Sequence, residues 1–223
     1  MALTLVIGNK NYSSWSFRPW IALKTAGIDF AERLISLNDP EFKPTLLKLS
    51  PVGKVPVLID GDIHVWESLA ILEYLAERFP AAALWPDDRG TRAQARALAC
   101  EMPASFGALR RQCPMNMWRP VKSCDLSAEV AADVRRIDRM WNECLARFGG
   151  PFLFGRFSAT DAMYAPVVSR FHTYAVEVSD AARGYMQNVM ALPAFAEWRD
   201  AALKECWVLP QDEPDWPTVL RVP

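Results

Sequence analysis

With 223 residues, 25 Lys+Arg against 26 Asp+Glu and 51% hydrophobic residues, the chain has the composition of a folded globular protein. Those figures exclude global disorder and a strongly basic nucleic-acid binder, and a chain this long can bury a core without a disulfide or metal staple. No apolar run reaches the ~18 residues of a membrane span. The short run Leu3–Ile7 is followed at once by Asn9, Lys10 and Asn11, which is not the pattern of a signal peptide. The five cysteines are an odd number with no CxxC pair, and only His64 and His172 accompany them. Reduced thiols, no metal site, no nucleic-acid or membrane partner and a cytoplasmic location are therefore expected.

The first 80 residues alternate between strand and helix signals. Leu3–Ile7 reads as a short buried strand, and the polar run Asn9–Ser16 as a loop. Phe17–Ala26 reads as a helix, with Pro19 in its first turn and Gly27 as its stop. Phe30–Ile35 is the next strand, Asn38-Asp39-Pro40 a turn, and Phe42–Leu49 an irregular helix. Pro56–Ile59 and Ile63–Trp66 flank the hairpin turn Asp60-Gly61-Asp62. Glu67–Phe79 reads as a helix with Leu69, Leu72, Leu75, Ala76 and Phe79 on one face, stopped by Pro80.

Residues 81–90, with Pro86 and Asp87-Asp88, form the expected linker between a domain over 1–80 and another over 91–223. Beyond it no strand pair is expected. Ala93–Met102 reads as a helix, with Pro103 and Pro114 kinking or ending the pattern. Ser127–Phe148 is the clearest helix, with Val130, Val134, Ile137, Trp141, Leu145 and Phe148 at helical spacing before Gly149-Gly150. Ala159–Tyr174, Asp180–Met190 and Ala194–Cys206 follow, and the proline-rich tail Leu209–Pro223 reads as an extended, packed arm. The expected fold is a small α/β domain followed by an all-helical one.

Three local features can carry chemistry. Tyr12-Ser13-Ser14-Trp15-Ser16 reads either as an ordinary N-cap by Ser16 or as hydroxyl donors aimed at an anion near a positive helix end. No histidine lies nearby to make a serine nucleophile. Gly53-Lys54-Val55-Pro56-Val57-Leu58 is either a plain strand entry or a cis Val55–Pro56 bond. A cis bond would turn the Val55 backbone outward to pair with an extended peptide. In Trp66-Glu67-Ser68, an ordinary helix start competes with a grip on an amino-acid head group. Ser68 and the free N–H groups would hold the carboxylate, and Glu67 the ammonium.

In this order and spacing, the three features resemble the glutathione transferase family, in its cytosolic, Ser-dependent branches. Phe157-Ser158-Ala159-Thr160-Asp161 resembles the start of that family's core helix and contains an S-x-x-D capping box. The resemblance implies a thioredoxin-like N-terminal domain, an all-α helical-bundle C-terminal domain, glutathione as co-substrate, a small electrophile as second substrate, and a homodimer. It implies Ser14, with Ser13 next, as the hydroxyl that donates to the glutathione thiolate. Lys54 would meet the glycyl carboxylate, and Val55, before a cis Pro56, would pair with the cysteinyl unit. Glu67 and Ser68 would hold the γ-glutamyl end. Trp15, Met102, Phe106 and Arg110 would line the second-substrate cleft, and Arg110 or Arg111 would favour an anionic electrophile.

The start of the chain is most similar to the zeta class, where a cysteine stands in place of Trp15. The glutathione site therefore carries over, while the maleylacetoacetate isomerase activity of that class stays an alternative. A ligand-binding or stress protein of the same fold without turnover is another. A thiol–disulfide oxidoreductase is disfavoured because the loop has no cysteine. In magnitude one serine suffices. Lowering a thiol from a pKa of about 8.5 by about two units takes roughly 2.7 kcal/mol. A hydrogen bond to a charged group contributes about 1.5–3 kcal/mol, and a helix end about 0.3–1 kcal/mol.

Overall fold

In the computed structural model of the chain, residues 3–215 and 219–221 are described. Four strands make one sheet: β1 (Leu3–Ile7), β2 (Phe30–Leu34), β3 (Val57–Asp60) and β4 (Ile63–Trp66), in the order β2-β1-β3-β4. β1 runs parallel to β2 and antiparallel to β3, and β3 and β4 form the expected hairpin. A parallel pair needs a crossover, supplied here by α1 (Ser14–Thr25). β1 is central, and its run Leu-Thr-Leu-Val-Ile, apolar but for Thr4, suits a strand covered on both faces.

Alternation sorts the strand residues between two layers. Leu3, Leu5, Ile7 and Leu58 pack with Phe17 and Ile21 of α1 and with Ile71, Leu72 and Leu75 of α3 (Ser68–Arg78). Val6 and Val57 point the other way, against Leu46 of α2 (Phe42–Leu47). This is the thioredoxin-like arrangement that the resemblance implied.

A 3₁₀ turn at Pro80–Ala82 follows α3, and α4 starts at Arg89 with the Asp88 carboxylate capping the Thr91 N–H at 2.7 Å. The helical part comprises α4 (Arg89–Ala104), α5 (Gly107–Gln112), α6 (Ala128–Phe148), α7 (Ala159–Thr173), α8 (Asp180–Met190) and α9 (Pro193–Ala202). The sequence did not announce α5. Pro103 lies inside the last turn of α4 instead of ending it earlier, and α5 stops just before Pro114. One hydrophobic core runs from the sheet into the helices. Phe17 stacks on Trp198 at 4.9 Å, and Trp20 meets the same indole edge-on at 5.1 Å. Among the described residues no helix is long and apolar enough to cross a membrane.

Two starts differ from expectation. α1 begins at Ser14, not Phe17, and Ser16 is not its cap. The Ser16 hydroxyl oxygen is turned inward and accepts from the Gly8 N–H at 3.2 Å and the Ser13 hydroxyl at 2.7 Å. Pro19 therefore lies inside the helix, where it leaves the Trp15 carbonyl without its usual i+4 donor. The Ser68 hydroxyl takes that place at 2.8 Å. Glu67 is not in the first turn of α3 but just before it, at φ +67°, a conformation non-glycine residues rarely adopt. The tail carries a 3₁₀ turn at Pro210–Asp212, while the remainder of the expected arm at 216–218 and 222–223 lies outside the described residues.

The capping box of α7 forms as read. Fully buried Asp161 accepts from the Ser158 N–H at 2.8 Å, the Ser158 hydroxyl at 2.7 Å and the Leu153 N–H at 3.1 Å. Asp161→Ala is expected to lower stability by about 2–4 kcal/mol. A lost cap costs about 0.5–2 kcal/mol and a buried N–H left unpaired about 1–3 kcal/mol. Urea unfolding measures it, and a midpoint equal to that of the unaltered protein would contradict the assignment.

Candidate active site

A cleft of about 350 Å³ opens where the loop after β1, the strand entry before β3 and the helical part meet. Ser13, Ser14, Trp15, Lys54, Val55 and Arg110 line it, together with Tyr12, Leu37, Phe42, Pro114, Met115, Arg170 and Asp212. A second cavity of about 180 Å³ adjoins it, sharing Trp15, Lys54 and Val55 and adding Val52, Pro56, Trp66, Glu67 and Ser68. The expected serine pair and the expected peptide-binding residues thus converge on one continuous depression. The Val55–Pro56 bond is cis, as the resemblance implied.

The two serines are not equivalent. Ser13 is engaged inward with Ser16, whereas the Ser14 oxygen accepts from the Arg170 guanidinium at 3.3 Å. Ser14 also opens α1, where the helix end favours negative charge. Ser68 gives its hydroxyl proton to Trp15, which leaves its backbone N–H for a carboxylate. Glu67 and Lys54 are exposed beside it.

The loop before Ser14 is held from three sides. Glu205 accepts from the N–H groups of Lys10 at 2.6 Å and Asn11 at 3.0 Å. The Trp198 indole donates to the Lys10 carbonyl at 2.8 Å, and the Asn11 side chain accepts from the N–H groups of Met117 and Trp118. Tyr12 donates to Glu213. Glu205, expected inside the helix Ala194–Cys206, lies beyond the end of α9 at Ala202; with Glu213 of the expected arm it fixes the loop, and Asp212 of that arm reaches the cleft.

Three arginines gather behind the loop. Arg18, fully buried, donates to the carbonyls of Ser14 at 2.7 Å and Met163 at 3.0 Å and lies 4.1 Å from the Trp15 ring. Arg110 approaches that ring at 5.6 Å and donates to the carbonyls of Met102 at 2.9 Å and Ser105 at 2.7 Å. Arg170 donates to the carbonyls of Cys113 at 2.9 Å and Pro166 at 3.2 Å. Among the described residues none of the three forms a salt bridge. Burial pulls all three below the usual arginine range, Arg170 to about 10; repulsion from Arg110 adds to the effect on Arg18 and Arg170, while Asp133 partly offsets it on Arg110. Burial pushes the Asp212 carboxyl up while Arg170 draws it down. Arg18 and Arg170, stripped of water and without a salt bridge, and half-buried Arg110 beside them favour an anion in the adjoining cleft.

Two expectations need correction. Met102 and Phe106 do not line the cleft: both lie in the core, Met102 with its sulfur 2.7 Å from an Arg18 nitrogen and Phe106 against Tyr164. Helical spacing alone does not separate core from cleft. Sequence reasoning missed Arg170, although the signal was there. A lone arginine closes the otherwise uncharged run Ala162–Ser169 in the α7 pattern, and a charge placed in a buried face needs a reason.

Two family models match: the glutathione S-transferase N-terminal domain over residues 12–78 and the glutathione S-transferase C-terminal domain over residues 125–201. Together they span well over half of the chain, which belongs to the glutathione S-transferase family. A probable maleylacetoacetate isomerase of Vibrio cholerae is 27% identical over 96% of this chain and 99% of its own length. Glutathione S-transferase 1 of Dianthus caryophyllus is 46% identical over 36% of this chain and 37% of its own. A Burkholderia glutathione transferase homolog solved with bound glutathione superposes with a TM-score of 0.72 at 24% identity, covering 91% of this chain and 98% of that one.

Glu205→Ala is expected to free the Lys10 and Asn11 N–H groups and to lower stability by at least about 2 kcal/mol, each unpaired donor costing about 1–3 kcal/mol. Amide exchange at Lys10 and Asn11 reads the local effect. Exchange as slow as in the unaltered protein would show that the carboxylate does not hold the loop.

Proposed function

We propose that the chain is a Ser-type glutathione transferase in which the Ser14 hydroxyl donates to the glutathione thiolate while the smaller cavity holds the rest of the tripeptide. The observation that carries this reading is the difference between the serines: Ser13 is engaged with Ser16, and Ser14 faces the cleft with its oxygen, not its proton, taken by Arg170. Glutathione extends past Val55, which pairs with the cysteinyl unit, with Lys54 at the glycyl carboxylate. Glu67 and the Ser68 N–H meet the γ-glutamyl end. The electrophile sits over Trp15 beside Arg110, so anionic electrophiles are favoured. Sulfur attacks the electrophilic carbon, the leaving group departs or a double bond takes up the electrons, and the serine stays a hydrogen-bond donor throughout. Free thiols at Cys100, Cys113, Cys124, Cys144 and Cys206 are in keeping with a cytoplasmic setting.

The isomerase reading is supported by the full-length similarity to the Vibrio cholerae protein, and Trp15 in the loop weighs against it. Activity on maleylacetone against model aryl halides separates the two.

Ser14→Ala is expected to cut turnover about 10- to 150-fold at pH values below the bound thiol's midpoint, the equivalent of about 1.5–3 kcal/mol, with little change in glutathione affinity. The loss shrinks as pH rises, because solvent then ionises the thiol unaided. Ser13→Ala is expected to show no such pH-dependent loss. A pH-dependent loss larger in Ser13→Ala would assign the role to Ser13 instead.

A homodimer is proposed as the working unit. Exposed Leu47, Val52 and Trp66 lie on one flank: Leu47 packs beside Gly53, and Val52 and Trp66 both line the smaller cavity. A second copy would cover this apolar flank. Sedimentation equilibrium at micromolar concentration should give about twice the mass of one chain, and the mass of a single chain would sink the proposal.

A further inference from the structure

We propose that Arg170 is a positioning residue for the reaction: its guanidinium, fixed within α7, holds the Ser14 oxygen and thereby aims the Ser14 hydroxyl proton into the cleft. This rests on the reading of Ser14 as the donor to the thiolate.

The argument turns on which partner can donate. A guanidinium carries only donors, and a hydroxyl has one proton and two lone pairs. In the contact between Arg170 Nη2 and Ser14 Oγ the proton therefore belongs to arginine, and the serine proton must point elsewhere. A free hydroxyl rotates among its staggered positions, so a bound thiol would have to select one of them. One lone pair fixed by a rigid fork narrows that choice before the substrate arrives. A charged donor on the oxygen also makes the remaining proton a better donor, as linked hydrogen bonds polarise one another.

The fork is itself anchored. Nε donates to the Cys113 carbonyl and Nη1 to the Pro166 carbonyl, so two of the three nitrogens are committed to backbone and the third reaches Ser14. The residue is only 4% exposed. Lysine carries its three donors on a single nitrogen and lacks the planar fork that spreads the Arg170 donors over the two carbonyls and the serine. The charged and titratable groups facing Arg170 are Arg18 from α1, Arg110 from α5, Cys113, Tyr174 and Asp212. Burial pushes Cys113 up to about 12 and raises Tyr174 as well, so neither changes charge between pH 6.5 and 9.

The test is a double-mutant cycle on the intact protein, read by the ultraviolet absorbance of bound glutathione thiolate and by the pH profile of kcat. Arg170→Gln should raise the bound thiol's pKa by about one unit, from near 6.5 to near 7.5, read as a roughly fivefold loss of kcat at pH 6.5 that is gone by pH 9. The KM for glutathione should change little. In the Ser14→Ala background, Arg170→Gln should add less than about twofold, because the residue it positions is gone. Arg170→Lys should shift the pKa in the same direction by a smaller amount, and it stands in if the glutamine variant does not fold. An unchanged thiol pKa in both variants overturns the proposal. So does a full, additive loss in the Ser14→Ala background, which would mean that the charge acts on sulfur directly. If Ser14→Ala itself leaves the thiol pKa unchanged, the serine mechanism fails. If Ser14→Ala shifts it and neither Arg170 variant does, only the role of Arg170 fails.

Discussion

Two arginine side chains removed from water, Arg18 and Arg170, with half-buried Arg110 beside them and, among the described residues, no salt bridge to any of the three, set the character of this molecule. Each is held by backbone carbonyls, which satisfy hydrogen bonds but supply no opposite charge. Among the described residues no carboxylate forms a salt bridge with any of them. The cluster instead leaves a positive field behind the Ser14 loop, and the field reaches the cleft through Trp15, Ser14 and Arg110. Binding an anion at that place relieves repulsion that the empty site carries.

The fold serves that arrangement by fixing the loop that separates the arginines from the cleft. The central strand β1 delivers the chain to the loop, and α1 begins at the serine. Pro19 leaves a carbonyl open for Ser68, so the two expected binding segments are tied to each other by a hydrogen bond. The aromatic stack of Phe17, Trp20 and Trp198 joins α1 to α9, and Trp198 also holds the Lys10 carbonyl. The Ser14 loop is thus held by both halves of the chain.

Much of this was legible in sequence where local rules decide the outcome. Alternating apolar residues, the Asp60-Gly61-Asp62 turn, the Ser158–Asp161 box and Gly149 after α6 placed their elements within a residue or two. The Ser14, Lys54, Val55, Glu67 and Ser68 segments could be singled out because their residues are contiguous, and the structure brings them to adjoining cavities. The remainder depended on distance in three dimensions. Nothing local distinguishes Met102 from a cleft residue, since helical periodicity gives a face and not what that face meets. Ser16 has the composition of a cap, yet the Gly8 N–H claimed its oxygen and α1 started three residues earlier than expected. Arg170, Glu205 and Asp212 reach the loop across more than 150 residues of sequence. Of these only Arg170 left a trace, a charge beside an otherwise uncharged stretch.

The central claim is that this cleft stabilises a thiolate. Titration of glutathione bound to the unaltered protein, followed by thiolate absorbance from pH 5 to 10, tests it most directly. The account predicts a midpoint about two units below the value near 8.5 of a free thiol. A bound midpoint at the free value would contradict it.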